Sequence, residues 1–279
     1  MGFPMAGHLV RAGHTVSVYN RNAARAKLWL DKHAGASAPT PAAAARDADL
    51  VMTCVGGDND VRAVVHGPGG ALSAMAPGAI LVDHTTASAS LARELAQAAA
   101  MRQVGFLDAP VSGGQSGAEA GKLAIMVGGA PEIFARAEPV LASYARAVTL
   151  MGGPGCGQLT KMVNQICVTG LLQALAEGVA FAQRSGLDVA RVLEAIGGGA
   201  AQSWQMHNRS LTMAEDRFDF GFAVDWMRKD LAICLTEARA NGAALPVTAL
   251  VDQFLARLSA EGGGRADISS LIRLLRDRG

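Results

Sequence analysis

Short apolar and β-branched runs recur through the first half of the chain, at 15–19, 50–55, 79–83, 104–108, 124–127 and 147–150. Between them lie alanine-rich stretches with helical spacing, around 22–34, 59–65, 88–101 and 131–144. Near-continuous apolar strands separated by helices predict a parallel sheet covered on both faces, the doubly wound α/β arrangement. After the turn cluster Gly152-Gly153-Pro154-Gly155 the pattern changes. From Gln158 to about residue 184, Leu159, Met162, Val163, Ile166, Leu171, Leu172, Leu175, Val179 and Phe181 leave few polar positions on one long helix. A helix this apolar has to be covered by other elements or by a second subunit, which predicts a homodimer or homotetramer. Helical spacing continues near 188–197, 201–214, 223–241, 246–261 and 267–277. The expected division is a sheet-containing domain over 1–151 and an all-helical domain over 152–279.

Composition narrows the classes. Half of the 279 residues are hydrophobic and 18% are charged, the balance of a globular chain with room for two cores. A net charge of +1 with interspersed signs argues against nucleic acid as a partner. No uninterrupted apolar run of roughly 18 residues speaks for a membrane span, and the N-terminus lacks a basic segment followed by an apolar one. Cys54, Cys156, Cys167 and Cys234 are scattered without CxxC spacing, and read as reduced, mostly buried thiols of a cytoplasmic protein. The histidines do not stand with carboxylates at ligand spacing, so no metal is expected. For His84 a satisfied polar contact is the expected role.

The N-terminus carries a partial nucleotide signal. A dinucleotide-binding fold opens with a strand, then G-x-G-x-x-G, then a helix whose N-terminus faces the pyrophosphate. Met1-Gly2-Phe3-Pro4-Met5-Ala6 looks like the end of that turn, with Gly2 as the third glycine, while the first strand and two glycines are missing. An internal start codon or a shortened chain would account for this. On these residues alone, an ordinary helix with no nucleotide role is an equal reading. The second strand ends at Tyr19-Asn20-Arg21-Asn22, where an acid would select NAD. With no acid there, Asn20 and Arg21 fit a 2′-phosphate, which favours NADP over NAD. The alternative is a solvated arginine at a strand end.

Three further motifs carry chemistry: Asp108-Ala109-Pro110-Val111-Ser112-Gly113-Gly114, continuing to Gly117-Ala118 and Gly121; Gly155-Cys156-Gly157 followed by Lys161-Met162-Val163-Asn164-Gln165; and Trp226-Met227-Arg228-Lys229-Asp230-Leu231. Ser112-Gly113-Gly114 follows a strand, at the sheet edge where such folds bind ligands. Two glycines there let backbone N–H groups approach a carboxylate. A serine-hydrolase elbow would need glycine where Ala118 stands. Lys161 and Asn164 are three apart and share a helix face. A lysine in an apolar helix is costly unless it has a task, and desolvation draws it towards the working range of a general acid/base. A snorkelling surface lysine is the plain alternative.

With the opening motif, these segments resemble the β-hydroxyacid dehydrogenases, the family of 3-hydroxyisobutyrate dehydrogenase and tartronate semialdehyde reductase. The resemblance spans nearly the whole chain, and the motifs stand in the family's order. It implies a Rossmann-like domain, lacking its first strand, followed by an all-α domain of the 6-phosphogluconate dehydrogenase kind, with the active site in the cleft between them. It further implies NAD(P)-dependent interconversion of a small β-hydroxy acid and its semialdehyde. Lys161 would be the acid/base, Asn164 would hold the substrate oxygen or the lysine, and Ser112, Gly113 and Gly114 would bind the carboxylate. Gly2, Asn20, Arg21, Val55, Gly56, Thr86 and Lys229 would line the cofactor, with Asp230 steadying the site. The family often has a proline a few residues after the Thr86 position, where this chain has Ser88-Ala89-Ser90, a departure that bears on the shape of that loop. An imine reductase-like enzyme, or a catalytically impaired cofactor-binding protein, are the alternatives.

Overall fold

A computed structural model describes residues 1–276. It divides into a first unit, Met1–Lys161, and a second that begins at Met162. In the first unit, α1 (Gly2–Arg11) is followed by β1 (Ser17–Val18), α2 (Ala23–Leu30), β2 (Ala36–Ser37), α3 (Pro41–Ala45), β3 (Leu50–Thr53) and α4 (Asp58–Val65). Then come β4 (Ile80–Asp83), α5 (Ala89–Ala100), β5 (Gly105–Asp108), β6 (Val111–Ser112), α6 (Gly114–Glu119), β7 (Leu123–Gly129), α7 (Pro131–Leu141) and β8 (Ala145–Gly152).

The main sheet runs in the order β3-β4-β5-β7-β6, with β8 paired to β7. Its strands alternate between two cores, as the period-2 geometry of a strand requires. Ile80, Val82 and Leu107 join Met5 and Leu9 of α1 on one face. Leu81 and Phe106 join Val61, Leu91 and Leu95 on the other. Both faces are therefore covered, as the uninterrupted apolar runs predict.

The sheet is not wholly parallel. β3, β4 and β5 are parallel, but β7 runs antiparallel to both β5 and β6. Two residues separate β5 from β6, and ten separate β6 from β7. The link from β6 to β7 is too short for the crossover that a parallel pair needs.

β1 and β2 form a separate parallel pair, Ser17 facing Ala36, and no strand among the described residues joins them to β3. A doubly wound dinucleotide fold runs its first strand between these neighbours, and the break in the sheet falls at that point. The short elements β2, β6, α3 and α6 are not foreseen by periodicity, because two to six residues are too few to establish a period. α2 ends at Leu30 rather than 34. The chain must turn at Gly35, where φ is 150° and a side-chain carbon would lie 2.7 Å from the Val16 carbonyl oxygen.

α8 (Cys156–Arg184) carries the chain from the first unit into the second. The expected boundary at 151 and the division after Lys161 differ because the first turns of α8 are tied back to the sheet, as described below. In the second unit α9 (Val189–Ile196), α10 (Trp204–Ala214), α11 (Val224–Asn241) and α12 (Pro246–Ala260) surround Leu172, Val179, Met213, Met227, Leu231, Val251 and Leu255. The last expected helix is a 3₁₀ segment, Ile268–Leu275, opened by the Asp267 carboxylate accepting from the Ser269 N–H. Residue 277 of that expectation lies outside the described residues.

α8 is inverted relative to an ordinary amphipathic helix. Gln158, Lys161, Gln165, Thr169 and Gln173, spaced by three or four, are buried, while Val163, Cys167, Leu171 and Phe181 are exposed. By length and composition this helix could cross a membrane, with a mean hydropathy of 1.4 over an 18-residue window. The sequence still has no unbroken apolar run of that length; the average over the window is reached because polar residues are few in this helix. The cysteines also depart from expectation. Cys234 is buried, Cys54 and Cys156 are half-buried, and Cys167 is exposed because it falls on the apolar outer stripe of α8; none of the four is in a disulfide among the described residues.

Candidate functional site

The carboxyl ends of β3, β4 and β5 are knitted together by their own side chains. Thr53 at the end of β3 donates its hydroxyl to Asp83 at the end of β4, at 2.7 Å. The Thr85 N–H donates to the same Asp83 oxygen, and the Val55 N–H donates to the Thr85 hydroxyl at 3.0 Å. Gly2, at the start of α1, faces this edge so closely that a side-chain carbon would sit 3.5 Å from Cys54 Cβ. Four residues expected to meet a dinucleotide, Gly2, Val55, Gly56 and Thr86, thus belong to one stretch of the sheet edge. The N–H groups of the first turn of α1 are not needed within the helix. The arrangement fits a dinucleotide: a helix N-terminus beside strand ends, with glycine where backbone must come close.

Asn20 and Arg21 lie further along. The Asn20 amide oxygen accepts from the Asn22 N–H, and Asn22 caps α2 by accepting from the Ala24 N–H. Arg21 is exposed and pairs with Asp60 of α4 at 3.2 Å. Ser112 ends β6, and Gly113 and Gly114 follow with φ of 130° and 63°, backbone shapes that favour glycine. A side-chain carbon on Gly114 would meet nothing within 4 Å, so its backbone is open to approach.

Asp108, at the end of β5, holds the start of α8. One carboxylate oxygen accepts from the Gly155 N–H and the other from the Gln158 N–H, both at 2.8 Å. The Gln158 side chain reaches the loop after β4, donating to the Thr85 carbonyl at 2.7 Å and accepting from the Ala87 N–H at 3.0 Å. Lys161, one turn further along α8, is 6% exposed.

In the second unit, Asn164 donates its amide to Gln165, which donates to Asp230 at 2.6 Å. Asp230 also pairs with the Lys229 ammonium at 2.8 Å. Three residues singled out in the sequence therefore sit in one polar chain, joined by Gln165. Asp108, Gln158 and Gln165 were not singled out. The available signal was the polar spacing 158, 161, 165 in an otherwise apolar helix, and the aspartate that opens the Ser-Gly-Gly motif.

Two buried groups behind the edge titrate in opposite senses. Burial raises the Asp83 carboxyl to about 6, against the hydrogen bonds from Thr53 and Thr85. Burial lowers His84 to about 4, even though it bonds the Ala109 carbonyl and the Tyr144 hydroxyl. This is the satisfied polar contact expected of His84. For Asp83 the folded value lies above the unfolded one, so its contribution is fullest at low pH and is lost as pH rises from about 4 to 6. For His84 the folded value is depressed, so stability falls as pH drops from about 6.5 to 4. The two slopes oppose each other. Asp83→Asn should therefore gain stability relative to the parent between pH 4 and 6, by on the order of 3 kcal/mol. Urea midpoints of both proteins at pH 4, 5 and 6 measure this; a difference that does not change with pH would contradict it.

Comparison with known proteins agrees with this geometry. Residues 1–153 match the model of the NAD binding domain of 6-phosphogluconate dehydrogenase. Residues 155–275 match that of the NAD-binding domain of NADP-dependent 3-hydroxyisobutyrate dehydrogenase. An uncharacterized oxidoreductase of Shewanella frigidimarina is 56% identical over 99% of this chain and 94% of its own. A probable 3-hydroxyisobutyrate dehydrogenase-like protein of Arabidopsis thaliana is 42% identical over 99% and 82%. The solved structure of Mycobacterium tuberculosis 3-hydroxyisobutyrate dehydrogenase with L-serine is 31% identical, covers 99% of this chain and 96% of its own, and superposes with a TM-score of 0.90. With a Rossmann-like sheet domain, a helical second domain and these matches along nearly its whole length, the chain belongs to the β-hydroxyacid dehydrogenase family, enzymes that use NAD(P).

Proposed function

We propose that this enzyme interconverts a small β-hydroxy acid and its semialdehyde, with Lys161 as the acid/base. In reduction the Lys161 ammonium gives a proton to the carbonyl oxygen; in oxidation the neutral amine takes it back from the hydroxyl. The observation that carries this reading is a lysine residue 6% exposed, one helical turn beyond Gln158, whose side chain is bonded on both sides of Thr86. A buried lysine in such a place needs a partner or a task. Ser112, Gly113 and Gly114 are proposed to bind the carboxylate through a hydroxyl and backbone N–H groups. Asn164 would hold the substrate oxygen or the lysine, and Asp230 would steady Lys229.

A nicotinamide dinucleotide, when bound, supplies or accepts the hydride. Gly2, Val55, Gly56, Thr86 and Lys229 are the residues proposed to hold it. Asn20 and Arg21 would meet the ribose. The Arg21–Asp60 pair is exposed and therefore weak, so a 2′-phosphate can displace Asp60 and take the guanidinium by two parallel hydrogen bonds. NADP is accordingly the preferred cofactor in this reading.

We assign the domains as a cofactor-binding part, 1–151, and a helical substrate and dimerisation part, 152–279, in a cytoplasmic protein without nucleic-acid or membrane partners. The exposed stripe of Val163, Leu171 and Phe181 on α8 is apolar, and Gly170 and Gly178 beside it allow close helix approach. A second copy of the chain is proposed to cover it.

Three measurements test these statements. Lys161→Ala should lower kcat by about three orders of magnitude or more, with a smaller change in KM, in an NADPH-linked screen of tartronate, methylmalonate and succinic semialdehydes and glyoxylate. A raised KM with unchanged kcat, or equal turnover of a cyclic imine, contradicts the lysine reading. Arg21→Glu should raise the KM for NADPH about tenfold and that for NADH less than about threefold; equal effects on both would remove Arg21 from cofactor selection. Sedimentation at micromolar concentration should show a dimer or tetramer that Phe181→Glu weakens, whereas a monomeric parent protein would refute the covering copy.

A further inference from the structure

We propose that Asp108 is a positioning residue, a buried carboxylate that clamps the first turn of α8 and thereby sets where Lys161 presents its amine. The proposal rests on the reading of Lys161 as acid/base and adds to it the part that holds the lysine in place.

A helix begins with N–H groups that have no partner within the helix, and a nearby residue in the preceding turn usually caps them. Here the cap comes from a different element, 47 residues before Gly155 and 50 before Gln158. Both oxygens of Asp108 are engaged at 2.8 Å, and the residue is fully buried. The backbone around it is cut to fit. A side-chain carbon on Gly128 would fall 2.4 Å from one Asp108 oxygen. One on Gly157 would fall 2.8 Å from the other and 2.5 Å from the Met126 carbonyl oxygen. Glycine at both positions lets the helix start seat directly on the strand end, where any larger residue would push the two apart.

Gln158 adds a second arm. Its side chain bridges the Thr85 carbonyl and the Ala87 N–H, so the same turn is fixed to the ends of β4 and β5 at once. Two attachments on different strands set both the height of α8 and its rotation about its axis. Lys161, three residues on, inherits both. Burial raises the Asp108 carboxyl, while the N–H groups of Gly155, Gln158 and Gly157 work against that rise. These donors favour the ionised form, which accepts at both oxygens.

Asp108→Asn keeps the shape but replaces one acceptor oxygen with a donor. The expected result is a kcat lower by about 10- to 100-fold. The KM for the hydroxy acid and the Kd for NADPH should stay within about twofold, because the residues proposed to bind them are untouched. In a Lys161→Ala background, followed over long incubations, the same change should cost less than about twofold, because the clamp acts through the lysine. Far-UV circular dichroism and the thermal midpoint establish that each variant is folded. If Asp108→Asn does not fold, Gln158→Glu is read by the same criteria, since it keeps the acceptor for Ala87 and loses donation to Thr85. Wild-type kcat in the variant, a loss confined to KM or Kd, or an equal loss in the Lys161→Ala background would each overturn the clamp. Undiminished kcat in Lys161→Ala alone would instead overturn the acid/base reading, so the two failures are told apart within one set of variants.

Discussion

One buried carboxylate joins the sheet to the helix that carries Lys161. Asp108 takes two N–H donors from the start of α8, and the close approach it makes possible demands glycine at 128 and 157. Several features of the motif then have one cause. The aspartate that opens the Ser-Gly-Gly segment, the Gly155-Cys156-Gly157 turn and the Gly-Gly end of β7 are parts of a single joint, although they are spread over 50 residues of sequence. The strand end brings the acceptor, the helix start brings the donors, and glycine removes everything between them. An anion at a helix N-terminus is also favoured by the aligned peptide dipoles.

α8 then shows what such a joint costs and what it makes available. Its buried face is polar, from Gln158 through Lys161 and Gln165 to Thr169 and Gln173, and part of its outer face is apolar. Polar side chains are buried at an energetic cost unless each finds a partner. Gln158 finds Thr85 and Ala87, Gln165 finds Asn164 and Asp230, and Thr169 lies against the Met227 sulfur. The earlier turns of the buried face are thus a row of positioned polar groups, and Leu172, Ala176 and Val179 further along it are apolar. Cohesion of the second unit falls instead to residues such as Leu172, Val179, Met227 and Leu255.

The fold class was legible because strands covered on both faces need uninterrupted apolar runs, and those at β3, β4 and β5 have them. The antiparallel β7 was not, since strand direction depends on connection length, which periodicity does not encode. β6 and α6 are too short for a period to register. Of the candidate site, Lys161 was legible as a charge in an apolar helix, and Ser112, Gly113 and Gly114 as a serine and two glycines after a strand. Asp108 and Gln158 were passed over for different reasons. The role of Asp108 is visible only once residue 155 is known to fold back onto residue 108. Glutamine in a helix carries no local signal, although its spacing from Lys161 and Gln165 did. The pairing of Arg21 with Asp60 is not legible in the sequence, because Asp60, 39 residues later, is brought to it only by the fold.

The same edge also sets the surroundings of the buried Lys161. Asp83 and Asp108 stand in register on neighbouring parallel strands, so two carboxylates lie side by side under the carboxyl end of the sheet. Left bare, such a pair would repel and one member would take up a proton. Instead each is met by donors that the fold supplies, Thr53 and Thr85 for Asp83 and the α8 N–H groups for Asp108. Beside them His84 stays neutral, bonded to Ala109 and Tyr144, and adds no positive charge. The acidic pair behind the edge, each member raised by burial, is built into strands rather than loops. The positive end of α8 answers it first. Lys161, one turn along that helix, therefore stands on a helix seated against strand ends rather than on a loop.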